Sequence, residues 1–120
     1  NDNITISPYF IILLLWYPCF ENLFSIIRKI YQKQKISNAD NLHLHQLIFL
    51  FLKKKKISNI NNLTGAIIAV YNLFSFLIAV SYADKTKIIL ALILVNVLFY
   101  IYLYNKLVID LFKNKKTTQK

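Results

Sequence analysis

Eighteen consecutive residues, Gly65 to Tyr82 (GAIIAVYNLFSFLIAVSY), carry no charge, and a second apolar block begins at Lys87 (KIILALILVNVLFYIYLY) and continues to Phe112. A third runs from Pro8 to Ile30, opening YFIILLLWYPCF. About 20 residues at ~1.5 Å each cross the ~30 Å hydrocarbon core of a bilayer, so each block is long enough to span. Lipid offers no partners to a peptide backbone, so spanning segments of this kind are helices. The expected fold is therefore an all-α integral membrane protein. Its parts are helices at 8–30, 65–82 and 87–112, a cytoplasmic loop at 31–63 and a basic tail at 113–120. Pro18 falls inside the first helix and predicts a kink there.

Composition narrows the reading further. A chain of 120 residues that is 57% hydrophobic, with one Gly and two Pro, is not an ordinary soluble domain with turns and a polar surface. Its net charge of +10 gathers at the ends of the apolar blocks and not along one face, which argues for membrane flanks and against nucleic acid as a partner. The lone Cys19 excludes an intrachain disulfide and a cysteine metal site; within an apolar run it is expected to be a small packing residue. Starting at Asn1 with no Met anywhere, the chain reads as part of a longer or processed polypeptide.

Charge also orients the helices. The loop and the helix end that enters it hold Arg28, Lys29, Lys33, Lys35 and Lys53 to Lys56, and the tail region Lys106, Lys113, Lys115, Lys116 and Lys120. The turn ADKT has only Lys85 and Lys87 nearby. Positive charge favours the cytoplasmic side, so the loop and tail are placed inside, and Asn1 and the Asp84 turn outside. The expected location is the inner membrane, multi-pass. Tyr100, Tyr102 and Tyr104 then read as an inner aromatic belt and Tyr82 as part of an outer one. Within the loop, HLHQLIFLFLKKKK is too short to span and reads as a short helix in the interface, its lysines among headgroups.

Ionisable groups in membrane segments are costly and mark candidate sites. Glu21, Ser25 and Arg28 stand at i, i+4 and i+7, with Asn22 and Lys29 adjoining, so the first helix has one polar face. That face makes either a structural contact to a neighbouring helix or the wall of a cytoplasmic cleft. His43 and His45 are the only histidines. On a helix they diverge by ~200°; on an extended segment they share a face. Three readings stay open for them: solvated interface residues, a zinc pair with Asp40 as the one nearby third ligand, or recognition of a phosphate beside many cations. Asn72 with Ser75, and Asn96, read as interhelical hydrogen-bonding spots.

The order of features, WYPCFENLFSIIRKIYQKQKISNADNLHLHQLIF, resembles the last active-site region of the polyprenyl-phosphate N-acetylhexosamine-1-phosphate transferases. Those membrane enzymes show a helix with a Pro, an acidic residue three positions on and basic residues at its cytoplasmic end. A loop ending in Asp and a His-x-His-His motif follow. Here the matching positions are Pro18, Glu21, Arg28 with Lys29, Asp40, and His43 to Gln46, with Gln46 where the family has its last histidine. The likeness covers residues 9 to about 50, and hydropathy alone continues it. It implies transfer of a sugar-1-phosphate from a UDP-sugar to polyprenyl phosphate, with release of UMP, in cell-envelope polysaccharide biosynthesis.

By this resemblance His43, His45 and Gln46 would donate to the diphosphate, and Arg28 would be a fixed cation. Asp40 and Glu21 would orient those donors or hold sugar hydroxyls. The family's Mg²⁺ and catalytic aspartates belong to motifs that this sequence does not contain, so the chain alone is expected to be inactive, with no catalytic residue and no metal ligand of its own. Which UDP-sugar is used, and whether the protein forms a homodimer, stay open. The rivals from other classes are a non-enzymatic three-helix membrane subunit or anchor, and a peripheral lipid-binding hairpin built on the lysine run.

Overall fold

A computed structural model describes residues 6–37, 40 and 42–112. Asn1, two positions of the KISNAD segment (38 and 39) and the tail 113–120 lie outside the described residues. Five helices follow in order: α1 Pro8–Leu14, α2 Trp16–Tyr31, α3 Leu44–Lys54, α4 Ile60–Ser81 and α5 Thr86–Phe112. No strand occurs among the described residues. Two helices, α4 and α5, are each long and apolar enough to cross a membrane, and the bent pair α1 and α2 makes a third if it counts as one span.

The first apolar block is not the single kinked helix expected from Pro18. It breaks at Leu15, and its two halves differ in direction by 69°. Pro18 still accounts for the break. It has no N–H to give the carbonyl of Leu14, four residues earlier, so the ladder fails one turn before the proline. Ladder bonds flank the gap on both sides, Leu15 N–H to the Ile11 carbonyl at 3.2 Å and Cys19 N–H to the Leu15 carbonyl at 3.2 Å. Cys19 corrects a second expectation, for it is exposed on α2 and takes no part in the core.

Two helices stop on lysine. After α2, the N–H of Gln34 bonds the Lys29 carbonyl at 2.9 Å and that of Lys33 bonds Ile30 at 3.1 Å, with Lys33 at φ 55°. After α3, Ile57 bonds Leu52 at 3.3 Å and Lys56 bonds Lys53 at 3.0 Å, with Lys56 at φ 56°. Both are the paired closure that normally places glycine in the left-handed position. A chain with one glycine uses lysine instead, at some steric cost.

The start of α1 is tied to the α4–α5 turn. Ser7 donates its N–H to the Ala83 carbonyl at 2.9 Å, and Thr86 Oγ1 donates to Ser7 Oγ at 3.0 Å. At the other end α2 meets α5 along an aromatic seam. Phe20 and Phe24 set their ring edges against Tyr100 at 5.0 and 5.5 Å, and Phe24 meets Tyr104 at 4.8 Å. The belt expected of the three tyrosines therefore fits Tyr102 alone, which is exposed, while Tyr100 and Tyr104 are buried against α2. Between α4 and α5, Tyr71 donates to Asn96 Oδ1 at 3.0 Å and Asn96 Nδ2 to Ser75 Oγ at 2.7 Å. Asn72 does not join them; its amide donates to the Ile68 carbonyl of its own helix at 2.9 Å.

Helix α3 packs against α4 and α5. Leu44, Leu47, Ile48 and Leu52, at i, i+3, i+4 and i+8, make one buried face, and the lysines that follow are exposed. The apolar body of this segment thus turns toward the bundle.

Candidate functional site

Five of the residues singled out in the sequence, Glu21, Ser25, Arg28, Asp40 and His43, converge where α2 ends, α3 begins and α5 passes. Glu21, seven residues or about two turns before Arg28, is buried and aims its carboxylate at the first turn of α3. Its Oε1 accepts the Leu44 N–H at 2.5 Å and the Tyr100 hydroxyl at 3.0 Å, and the His43 Nδ1 stands 3.5 Å away. An anion is favoured there because a helix start presents unpaired N–H groups and the positive end of its dipole. Glu21 thus acts as the cap of a helix 23 residues downstream.

Arg28 makes the second half of the junction. Its Nη1 donates to the Leu42 carbonyl at 2.8 Å and to the Tyr104 hydroxyl at 2.5 Å, and its Nη2 forms an ion pair with Asp40 Oδ2. The guanidinium also lies 5.7 Å from the centre of the Tyr104 ring. Asp40 accepts further bonds from Ser25 Oγ and, at 3.0 Å, from the Leu42 N–H. Burial by itself pushes the Asp40 carboxyl up. The Ser25 hydroxyl, the Leu42 N–H and the Arg28 charge outweigh it and hold the group below its usual range.

That shift has a stability consequence. A carboxyl whose folded pKa is depressed contributes stability that is complete above its unfolded pKa and is lost as pH falls through the folded one. Wild-type protein should therefore lose stability as pH drops below about 4, the ordinary aspartate range. Asp40→Asn should flatten that part of the profile, read from detergent-unfolding midpoints at stepped pH. An unchanged slope in the variant would mean that Asp40 is not linked to folding.

The histidines are resolved by where α3 starts. His43 is the residue before the helix, with extended φ −71° and ψ 152°, and His45 lies in the first turn. The helix begins between them, so the two rings neither diverge nor simply share a strand face; they stack, 5.6 Å apart and 9° from parallel. His43 is partly buried and His45 exposed. Gln46 Oε1 accepts the His43 N–H at 3.2 Å, so its amide oxygen serves to hold His43 in place.

Tyr100, Tyr104 and Ser25 complete the junction, and the two tyrosines were not among the candidates from sequence. A signal for them existed. Asn96, Tyr100 and Tyr104 stand at i, i+4 and i+8, a polar stripe on an otherwise apolar helix that matches the stripe of Glu21, Ser25 and Arg28. Beside Arg28 an open cavity of about 440 Å³ is lined by Phe24, Arg28, Gln32, Leu42, Tyr104 and Asn105. Among the described residues no group of three or more His, Cys, Asp and Glu side chains is placed to hold a metal ion. The junction does not fit one, because the carboxylates of Glu21 and Asp40 already face N–H, hydroxyl and guanidinium donors.

The fold and site define an all-helical protein with two to three helices able to cross a membrane and a polar junction at one end of the bundle. No family model, curated protein or solved structure matches the chain.

Proposed function

We propose that this chain is part of a membrane transferase that moves a sugar-1-phosphate, an N-acetylhexosamine phosphate, from a UDP-sugar to polyprenyl phosphate and releases UMP. The observation that supports it most is the stacked pair His43 and His45 at the start of α3, braced by Glu21, Arg28, Asp40 and Gln46. In this reading the roles divide. His43 and His45 offer imidazole N–H groups to the diphosphate, while Glu21, Arg28 and Asp40 fix the junction that presents them. Glu21 and Asp40 stand against Arg28 and the neighbouring buried Lys29, so the junction carries no large positive surplus and directed N–H donation from the imidazoles is what this reading relies on to hold the ligand. The catalytic carboxylates and the Mg²⁺ that the family resemblance implies would come from elsewhere in the enzyme, and no step is assigned here to the metal.

The test is release of UMP from UDP-N-acetylhexosamine and polyprenyl phosphate by membranes that carry the product of the complete reading frame. Release above that of membranes lacking it is expected, and equal release would defeat the proposal.

In the same reading the α2–α3 loop and the end of α5 face the cytoplasm, on the inner membrane. A cysteine at Lys53 should react with a membrane-impermeant thiol reagent only after the cell is opened, and one at Asp84 from outside, both in a Cys19→Ser background. The argument is the excess of basic residues around the loop over the α4–α5 turn, and the reverse pattern would invert the topology.

A second reading is favoured by a specific observation. Arg28 and Glu21 are both satisfied within the protein, as they would be in a non-enzymatic membrane subunit whose polar residues only join helices. UMP release separates the two.

A further inference from the structure

A different feature lies at the far end of α3. There α3 and α5 flank an open groove of about 780 Å³, whose walls include Phe51 from α3, Lys55 just after its last residue, and Tyr102, Leu103, Lys106 and Asp110 from α5. Each wall carries an aromatic residue with a lysine four positions later. The Lys55 ammonium stands 5.7 Å from the centre of the Phe51 ring, and the Lys106 ammonium 5.9 Å from that of Tyr102. The two cations are thus held over ring faces at the rim and not left to sweep through solvent. Lys54, which does not line the groove, donates to the Asp110 carbonyl at 2.7 Å, a bond that joins α3 to α5.

Depth is set by α5. From Lys87 to Lys106 there is no other charged residue, and these nineteen steps of helix measure about 29 Å, the thickness of the hydrocarbon core. Lys106 therefore falls at the headgroup layer, with the apolar part of the groove directed toward the acyl region. The geometry points to a binding site for the headgroup of an anionic phosphodiester lipid, its phosphate between Lys55 and Lys106 and one chain along Leu103. Of the charged side chains that line the groove, Lys55 and Lys106 against Asp110 leave a single positive charge, the Lys54 ammonium being outside the lining and engaged by the Asp110 carbonyl. That balance suits a phosphodiester with one negative charge better than a phosphomonoester, whose second charge would meet Asp110. Neither ammonium belongs to the junction of Glu21 and Arg28, so this inference does not rest on the transferase reading and either can fail alone.

The test uses the full-length protein in a neutral detergent, equilibrated with phosphatidylglycerol, phosphatidylcholine or phosphatidic acid of identical acyl chains, with bound lipid counted by native mass spectrometry. Phosphatidylglycerol should bind more tightly than the other two. Lys55→Ala with Lys106→Ala should weaken it roughly 10- to 30-fold, two lysine contacts being lost. Lys55→Arg with Lys106→Arg should retain it. Lys53→Ala with Lys56→Ala removes the same charge from exposed positions off the groove, and should change it less than about threefold. Equal losses in the two alanine pairs would overturn the site in favour of general surface charge. A preference for phosphatidic acid, or none over phosphatidylcholine, would also overturn it. So would displacement of the lipid by inorganic phosphate at equal concentration, which would mean that the groove contributes nothing.

Discussion

Arg28→Ala is expected to destabilise the folded protein by about 3 to 5 kcal/mol, the cost of removing one partner from a largely buried ion pair. The side chains of Arg28 and Asp40 are only 11% and 8% exposed, so the aspartate left behind cannot recover its hydration. The Leu42 carbonyl and the Tyr104 hydroxyl lose their donor in the same step. Arg28→Lys should recover only part of the loss, because one ammonium cannot place donors on Asp40, Leu42 and Tyr104 together. Unfolding in mixed micelles, followed through the fluorescence of the lone Trp16, measures it. The double variant Arg28→Ala with Asp40→Ala should lose much less stability than the sum of the two single losses, since no charge is left stranded. Additive losses would mean that the pair is solvated and unimportant to the junction.

The second large effect is on activity. On the proposed transferase reading, His43→Ala and His45→Ala in the complete protein should each lower kcat/KM on the order of 10- to 100-fold. A hydrogen bond to a charged oxygen is worth roughly 1.5 to 3 kcal/mol, and each 1.36 kcal/mol is a decade in rate. Lys53→Ala should change it little, since that side chain is exposed and outside the junction. Silent histidine variants beside an inactive Lys53→Ala would move the anion site to the lysine run.

Much of this organisation was legible before any coordinates. The apolar blocks predicted α4 and α5, the two helices long and apolar enough to cross a membrane, because nothing but lipid or a bundle hides so many Ile, Leu and Phe side chains. The i, i+4, i+7 spacing put Glu21, Ser25 and Arg28 on one face, where they are found. What the pattern did not carry depended on partners distant in sequence. Tyr100 and Tyr104 look like interfacial aromatics until the polar stripe of α2 is set against them. Helix ends at Lys33 and Lys56 were hidden because lysine, not glycine, occupies the left-handed position. The break at Leu15 lies a turn before its cause, since proline's missing donor is felt four residues back. The histidine stacking turned on a boundary, the start of α3 at Leu44, and boundaries are the part of a helix that hydrophobic periodicity marks least sharply.

The central claim is that His43 and His45 hold a nucleotide-sugar diphosphate, and calorimetric titration of UDP-N-acetylglucosamine into the intact protein in detergent measures it most directly. Saturable binding that weakens about 10-fold or more in the variant lacking both imidazoles is the expected result. Absence of binding to the wild-type protein, or equal affinity in the variant with both histidines replaced by alanine, would contradict it.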